Sequence, residues 1–276
     1  MATINYAEKY SGKVDERMSL KEMTNIGLNT DYEWDDVNAI YVYDIPTVGL
    51  NDYKMEGSNR YGTPEELGDS LTKYELTTDK SFTFTIDKRN KKSQAGAKEA
   101  GRALSREIDE VVVPFKDMQR LKVWSDKATT ENQVLSVALS KTNAYSTFLD
   151  AQEMLTEAKI PLTNRIFYCN AKYYKLLKQD DTFIKASDMA QNMLVKGQVG
   201  QVDGVRIIVL PSTYFDTGVN GILVYTKSTT SPSKLTEYNV NTKPQGVSGT
   251  LIEGRIMVDT FVLKNKAKGI VAIKEA

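Results

Sequence analysis

Residues 40–88 alternate apolar and polar positions along two arms and lose the alternation between them. The first arm reads AIYVYDIPTVGLNDYKMEG and the second LTKYELTTDKSFTFTIDK. Both carry the Val, Ile, Tyr, Phe and Thr content of strands. The middle, around SNRYGTPEELGDS, holds the turn formers Gly57, Asn59, Gly62, Pro64 and Gly68. The pattern predicts a long two-stranded ribbon with a polar tip. A lone ribbon of this kind is marginal in water. Support must come from outside it, and another copy of the same chain is the expected source.

Residues 93–121 carry the clearest helical pattern. Ala97, Leu104, Ile108, Val111, Phe115 and Met118 recur at three- and four-residue steps on one face. Ser93 is the expected N-cap, and the helix would run about 40 Å. Pro114 lies inside it, so a kink is expected near residues 110–113. Arg102, Arg106, Lys116, Arg120 and Lys122 fall largely off the apolar stripe. Thr130 and Gln133 fit a capping box that would open a second helical stretch, broken near residues 140–143 and stopped by Pro161. Strands are expected at residues 165–169, 205–210, 221–226, 234–240, 249–263 and 269–274, with a turn at 241–246. A short helix is expected at 171–179 and partial helix at 181–196. Residues 1–36 read as an extended arm with one short helix near 14–24. Helices and strands mix without a regular alternation, so the class is α+β.

Composition narrows the chemistry. The chain has no histidine, which removes His-based acid–base catalysis, Ser-His-Asp and Cys-His nucleophiles, and His metal sites. The single cysteine, Cys169, sits in an apolar run and reads as a buried small hydrophobe. No apolar stretch approaches a membrane span and the N-terminus has no signal-peptide pattern, so a cytoplasmic setting without membrane partners is expected. Lys plus Arg (36) equals Asp plus Glu (36), yet the charge is uneven. Residues 1–70 hold 14 acidic and 6 basic side chains, whereas residues 87–122 hold 10 basic and 6 acidic. These could be complementary surfaces of neighbouring subunits.

No motif converges on a reaction. Gly96 and Gly101 have P-loop spacing, but Arg102 and Ala103 replace the Lys and Ser/Thr the phosphates and magnesium require. Tyr174 and Lys178 have dehydrogenase spacing without a glycine-rich cofactor turn. The pairs Asp35–Asp36 and Glu65–Glu66 are adjacent in sequence and need not face one site. Asp203-Gly204 is a turn signal. The basic run at residues 88–92 is short and lacks interleaved aromatics. No catalytic residue, cofactor or metal site is expected.

Six segments, in order, resemble the major capsid protein of tailed bacteriophages, the Hong Kong 97 fold. The run from Asp44 to Tyr53 resembles the ascending strand of that family's E-loop, and Leu76 to Asp87 its return. Residues 93–121 resemble the spine helix. Asn164 to Asn170 with Tyr174 to Leu177, then Gly200 to Pro211, resemble axial-domain segments. Gly254 to Leu263 followed by Lys268 to Ile273 resembles the C-terminal close. The resemblance implies an arm (1–36), an E-loop (37–88), a peripheral domain (89–125 and 233–267) and an axial domain (126–232 and 268–276). It implies hexamers and pentamers forming an icosahedral head around double-stranded DNA, assembled in the host cytoplasm with a portal. With no heptads ahead of the arm, a separate scaffolding protein is expected. The tip residues Lys54, Glu56, Arg60, Glu65 and Glu66 would meet a neighbour's Arg102, Arg106, Lys116 and Arg120. Asn241, Lys243 and Gly246 would meet their counterparts at three-fold positions. Nothing in the sequence supports a bond between Lys54 and Asn265. The alternatives are an encapsulin-like shell, or an enzyme with residues 55–68 as a lid.

Overall fold

The computed structural model of the chain describes residues 22–31, 39–88, 100–180, 198–242, 244–246 and 248–276. The arm before Glu22, the run from Arg89 to Lys92, the N-cap Ser93, Gly96, residues 181–197 and Lys243 lie outside the described residues. In chain order the elements are β1 (Ala39–Asp44), β2 (Ser70–Glu75), β3 (Asp79–Asp87), α1 (Ala100–Glu107) and α2 (Val113–Thr130). They continue with β4 (Val134–Ser136), α3 (Ala144–Glu157), β5 (Arg165–Asn170), α4 (Ala171–Gln179), β6 (Gln198–Val202) and β7 (Val205–Leu210). The chain closes through β8 (Val219–Tyr225), β9 (Thr229–Thr230), β10 (Ser233–Asn241), β11 (Gly249–Val258), β12 (Phe261–Val262) and β13 (Ile270–Lys274).

Apolar runs build the interior of a six-stranded mixed sheet, ordered β4-β13-β8-β5-β7-β6. Every residue of β5 and β8 is buried, as expected for strands covered on both faces. The strand period of two sorts their side chains. Ile166 and Tyr168 pack with Leu121, Trp124 and Ala128 of α2. Phe167 and Cys169 pack with Phe148, Ala151 and Leu155 of α3 and with Tyr173 and Leu177 of α4. Cys169 is fully buried, and burial pushes its thiol up. Asn170 caps α4 by accepting the Tyr173 N–H at 2.7 Å. The buried Arg165 donates to the Ile160 carbonyl (2.7 Å) and the Pro161 carbonyl (2.9 Å), just past the end of α3.

The expected ribbon divides. Ser70–Glu75 pairs antiparallel with Ala39–Asp44, but Asp79–Asp87 leaves to join a three-stranded sheet ordered β10-β11-β3. Phe82 and Phe84 explain the departure. Phe82 lies opposite Gly254, where a side chain would collide with its ring, and meets the tilted ring of Tyr238 at 6.1 Å between centroids. Alternation alone cannot distinguish a strand that pairs within a ribbon from one that pairs with a distant segment.

The helix also departs from expectation. Its last turns run on to Thr130, because Trp124 and Ala128 continue the buried stripe past Leu121. Thr130 is therefore no N-cap; its hydroxyl donates back to the Asp126 carbonyl at 3.0 Å. The capping box is corrected to a helix end, and the following helix starts only at Ala144. The expected disturbance near Pro114 is a π-helical turn over Ile108–Val112. The widened turn accommodates the missing N–H and the ring of the proline.

Helix α2 also receives the N-terminal segment. Asp117 accepts the Thr24 N–H (3.2 Å), the Thr24 hydroxyl (2.5 Å) and the Met23 N–H (3.3 Å). Arg120 is buried, pairs with Glu22, and donates to Thr24 Oγ1 at 3.0 Å and Ser231 Oγ at 3.3 Å. Its charge is committed inside the chain, so it is corrected from an expected surface cation to an internal clamp. Gly27 passes against Tyr168 and Trp124, where an added Cβ would lie 2.6 Å from the tyrosine oxygen.

Burial outweighs these hydrogen bonds and holds the Asp117 carboxyl above its ordinary value of 3.8. The folded chain keeps this proton to higher pH than the unfolded chain. Its stabilising effect is full below the unfolded value and is lost as pH rises through the raised native value. Asp117→Asn should abolish that loss. In urea melts, the parent midpoint should fall relative to the variant as pH rises above about 4. Parallel curves would mean that Asp117 titrates alike in both states.

Candidate assembly surface

The paired strands β1 and β2 run in register from Ala39 opposite Glu75 to Asp44 opposite Ser70. Exposed and half-buried side chains alternate along them, and Tyr41, Tyr43 and Leu71 point to solvent. One face is half-buried, with Tyr74 against Phe261, while the face that carries Tyr41, Tyr43 and Leu71 is open. Beyond it, residues 45–69 form no further strand. Backbone bonds from Lys54 N–H to the Arg60 carbonyl and from Gly62 N–H to the Asn59 carbonyl, both 3.0 Å, close a small loop. Tyr53 and Tyr61 meet edge to face at 5.1 Å within it. Arg60 Nε donates to the Gly57 carbonyl at 3.2 Å, and Gly57 takes a φ of +88°, which a side chain would resist.

This projection concentrates the chain's exposed apolar side chains. Ten of the sixteen large exposed hydrophobics among the described residues lie between Tyr41 and Leu71. Leu50, Tyr61 and Met55 are at least 83% exposed. Isolated exposed hydrophobics need no explanation, but a concentration of them marks a surface that another molecule covers. The tip expected to be polar carries exposed apolar side chains beside its charges. The run IPTVGL was the missed signal: apolar residues that follow neither strand nor helix period have no core-facing side.

The expected site residues separate into three groups. Lys54, Glu56, Arg60, Glu65 and Glu66 are all exposed on the projection. Arg102 is exposed on α1, Arg106 pairs with Glu110 at 3.2 Å, and Lys116 is half-buried on α2. The α1–α2 helix exposes Val111 and Met118 beside them. Asn241 and Gly246 are exposed at the β10–β11 hairpin, where Gly246 takes a φ of +78°. Arg120, buried on α2, belongs to none of these three groups.

An open cleft of about 490 Å³ lies between α3 and β4, lined by Gln133, Leu135, Asp150, Glu153, Met154 and Glu157, with Ala158 and Lys268. No residue from the tip at 55–68 lines it, so the tip is no lid to this cleft. Among the described residues no group of three or more His, Cys, Asp or Glu could hold a metal ion. No described helix is long and apolar enough to cross a membrane.

No protein-family profile matches the chain, and no curated protein does. Solved structures do. A chain from Mycobacterium phage Che8 superposes with a TM-score of 0.71 at 16% identity, covering 99% of this chain and 98% of that one. A chain of the capsid structure of the cyanophage P-SCSP1u gives 0.72 at 14% identity, covering 98% and 93%. A chain of the head structure of the Helicobacter pylori bacteriophage KHP40 gives 0.69 at 8% identity, covering 97% and 94%. The overlap is end to end in both directions, so the projection, the helix and both sheets belong to one shared architecture. The chain has the α+β Hong Kong 97-type fold of phage capsid chains.

Proposed function

We propose that the chain is the major capsid protein of a tailed phage, self-assembling into the icosahedral shell of the head around double-stranded DNA. The observation that carries this reading is the end-to-end likeness to phage capsid chains, over 97–99% of this chain, in a protein whose projection exposes uncovered apolar residues. A neighbouring copy supplies the missing cover. In this reading the ribbon and tip are the E-loop, and α1–α2 is the spine helix on which a neighbour's E-loop rests. The three-stranded sheet (β10-β11-β3) belongs to the peripheral domain. The six-stranded sheet belongs to the axial domain, around which hexamers and pentamers close. A separate scaffolding protein and a portal complete the assembly, which takes place in the host cytoplasm and ends in the virion.

Electron microscopy of the purified chain tests the proposal. Rings, shells or sheets are expected, either alone or with a co-expressed scaffold. A stable monomer under both conditions would sink it.

Two variants probe the surface. Deleting residues 55–68 should leave circular dichroism and melting nearly unchanged and abolish shells, because the tip adds little to the core. Global unfolding of the deletion would contradict the assignment. Changing Arg102 and Arg106 together to Glu should weaken assembly and make what remains less sensitive to salt, since exposed charge attraction is screened. Unchanged assembly at every ionic strength would remove the electrostatic role of the helix.

A further inference from the structure

The ribbon meets the body at residues 76–78, between β2 and β3, and Asp259 grips that joint. Asp259 lies in the bend between β11 and β12 and is 8% exposed. Its Oδ2 accepts the Thr77 N–H at 3.1 Å and the Thr77 hydroxyl at 2.8 Å. Its Oδ1 accepts the Gln119 Nε2–H at 3.1 Å and the Thr260 N–H at 2.9 Å. Gln119 projects from α2 and also donates to Thr78 Oγ1 at 3.1 Å. One carboxylate thus joins the ribbon root, the spine helix and the strand bend. Charge-assisted bonds of this kind are short and directional, and a nearly dry carboxylate with four donors has little freedom to turn.

The same stretch of chain holds the ribbon on both strands. Tyr74 of β2 rests its ring on Phe261 at 5.4 Å, and its hydroxyl accepts the Lys264 N–H at 3.0 Å. Asn265 donates its side-chain amide to Asp44 at the end of β1. Residues 259–265 also carry the chain from β11 in the three-stranded sheet, by way of β12, toward β13 in the six-stranded sheet. The ribbon runs on through residues 76–78 into β3 of the three-stranded sheet, and it is fastened a second time, by side chains, to the link between the two sheets.

We propose that Asp259 is a positioning residue that fixes the direction in which the ribbon leaves the body. The ribbon and the link between the sheets then turn as one unit, so a shift of one sheet against the other re-aims the ribbon. The consequence for assembly rests on the capsid reading: a ribbon that must land on a neighbour's helix has to leave its own chain at a set angle. The geometric part stands without that reading.

Paired spin labels at Tyr43→Cys on β1 and Glu153→Cys on α3 report the ribbon's direction in the full chain. Both positions are exposed, and the buried Cys169 will not take label. The parent should give one narrow distance peak. Asp259→Ala should lose it to a broad distribution and raise exchange of the Thr77 amide about tenfold or more, with the protection of β5 and β8 unchanged. Assembled particles should be lost in parallel. If Asp259→Ala fails to fold, Thr77→Val and Gln119→Met each remove a part of the grip and leave the carboxylate in place, and both should broaden the peak. Narrow peaks in every folded variant would overturn the proposal. A parent that never assembles, with variants that broaden, would sink the capsid reading and leave the positioning role standing.

Discussion

Trp124 and the helix that carries it are what the rest of the chain is registered on. The indole is fully buried against Tyr168, with ring centroids 5.2 Å apart, and Leu121 and Ala128 flank it on the same stripe. Burying side chains of this size contributes about 1.5–3 kcal/mol each, and this face of α2 docks the helix on the six-stranded sheet. The other end of the helix serves the smaller sheet, where Val112 packs with Ile256 and Val258. Between the two contacts the helix offers polar side chains at fixed intervals. Asp117 and Arg120 take the N-terminal segment, and Gln119 takes the ribbon root. One rod therefore sets the relative positions of two sheets, an arm and a ribbon. The π-helical turn falls between its exposed first turns and its buried last ones, so Pro114 is accommodated without ending the rod.

How much of this was legible in the sequence follows from the range of each interaction. The unbroken apolar stretches IFYC in β5 and IIVL in β7 announce burial on both faces whatever the partner. The short helix expected at residues 171–179 is present as Ala171–Gln179, with Asn170 capping it. Pairing was not legible. Phe82 and Phe84 alternate as a ribbon strand would, and only the glycine at Gly254, 172 residues away, shows which neighbour they have. The helix end was misread for a related reason. Residues 122–130 are mostly polar, and two residues, Trp124 and Ala128, hold the helix in place through contacts with strands far along the chain.

The surface was legible as a place and not as a chemistry. The turn formers located the projection, and the absence of histidine directed attention away from catalysis and toward contact between chains. Formal charge does not reveal which cations are already satisfied. Arg120 lies close to the expected face, yet it is turned inward by Glu22 from the segment before the first strand. A cation whose partner lies about a hundred positions away cannot be told from a free one by spacing. Residues 45–57 read in the sequence as the continuation of an alternating strand, whereas the structure forms no strand over 45–69 and leaves their apolar side chains exposed.

That missing cover constrains how the projection can be built. A surface of exposed leucine, methionine and tyrosine is a hazard while it is uncovered, since any sheet edge or apolar patch can take it. Two features limit the hazard. The apolar residues are spread along a thin extension beside Glu56, Glu65, Glu66 and Asp69, so they form no broad sheet face. The root is held by Asp259, Tyr74 and Asn265, and the tip closes on itself through Lys54 and Arg60. Ordering a free segment of this length on binding would cost about 1–2 kcal/mol for each residue fixed. On the capsid reading proposed above, a projection already directed by its root loses less freedom when it lands on a neighbour, so more of its apolar burial remains as binding free energy. On that reading the polar clamp at the root would set how strongly the apolar tip binds.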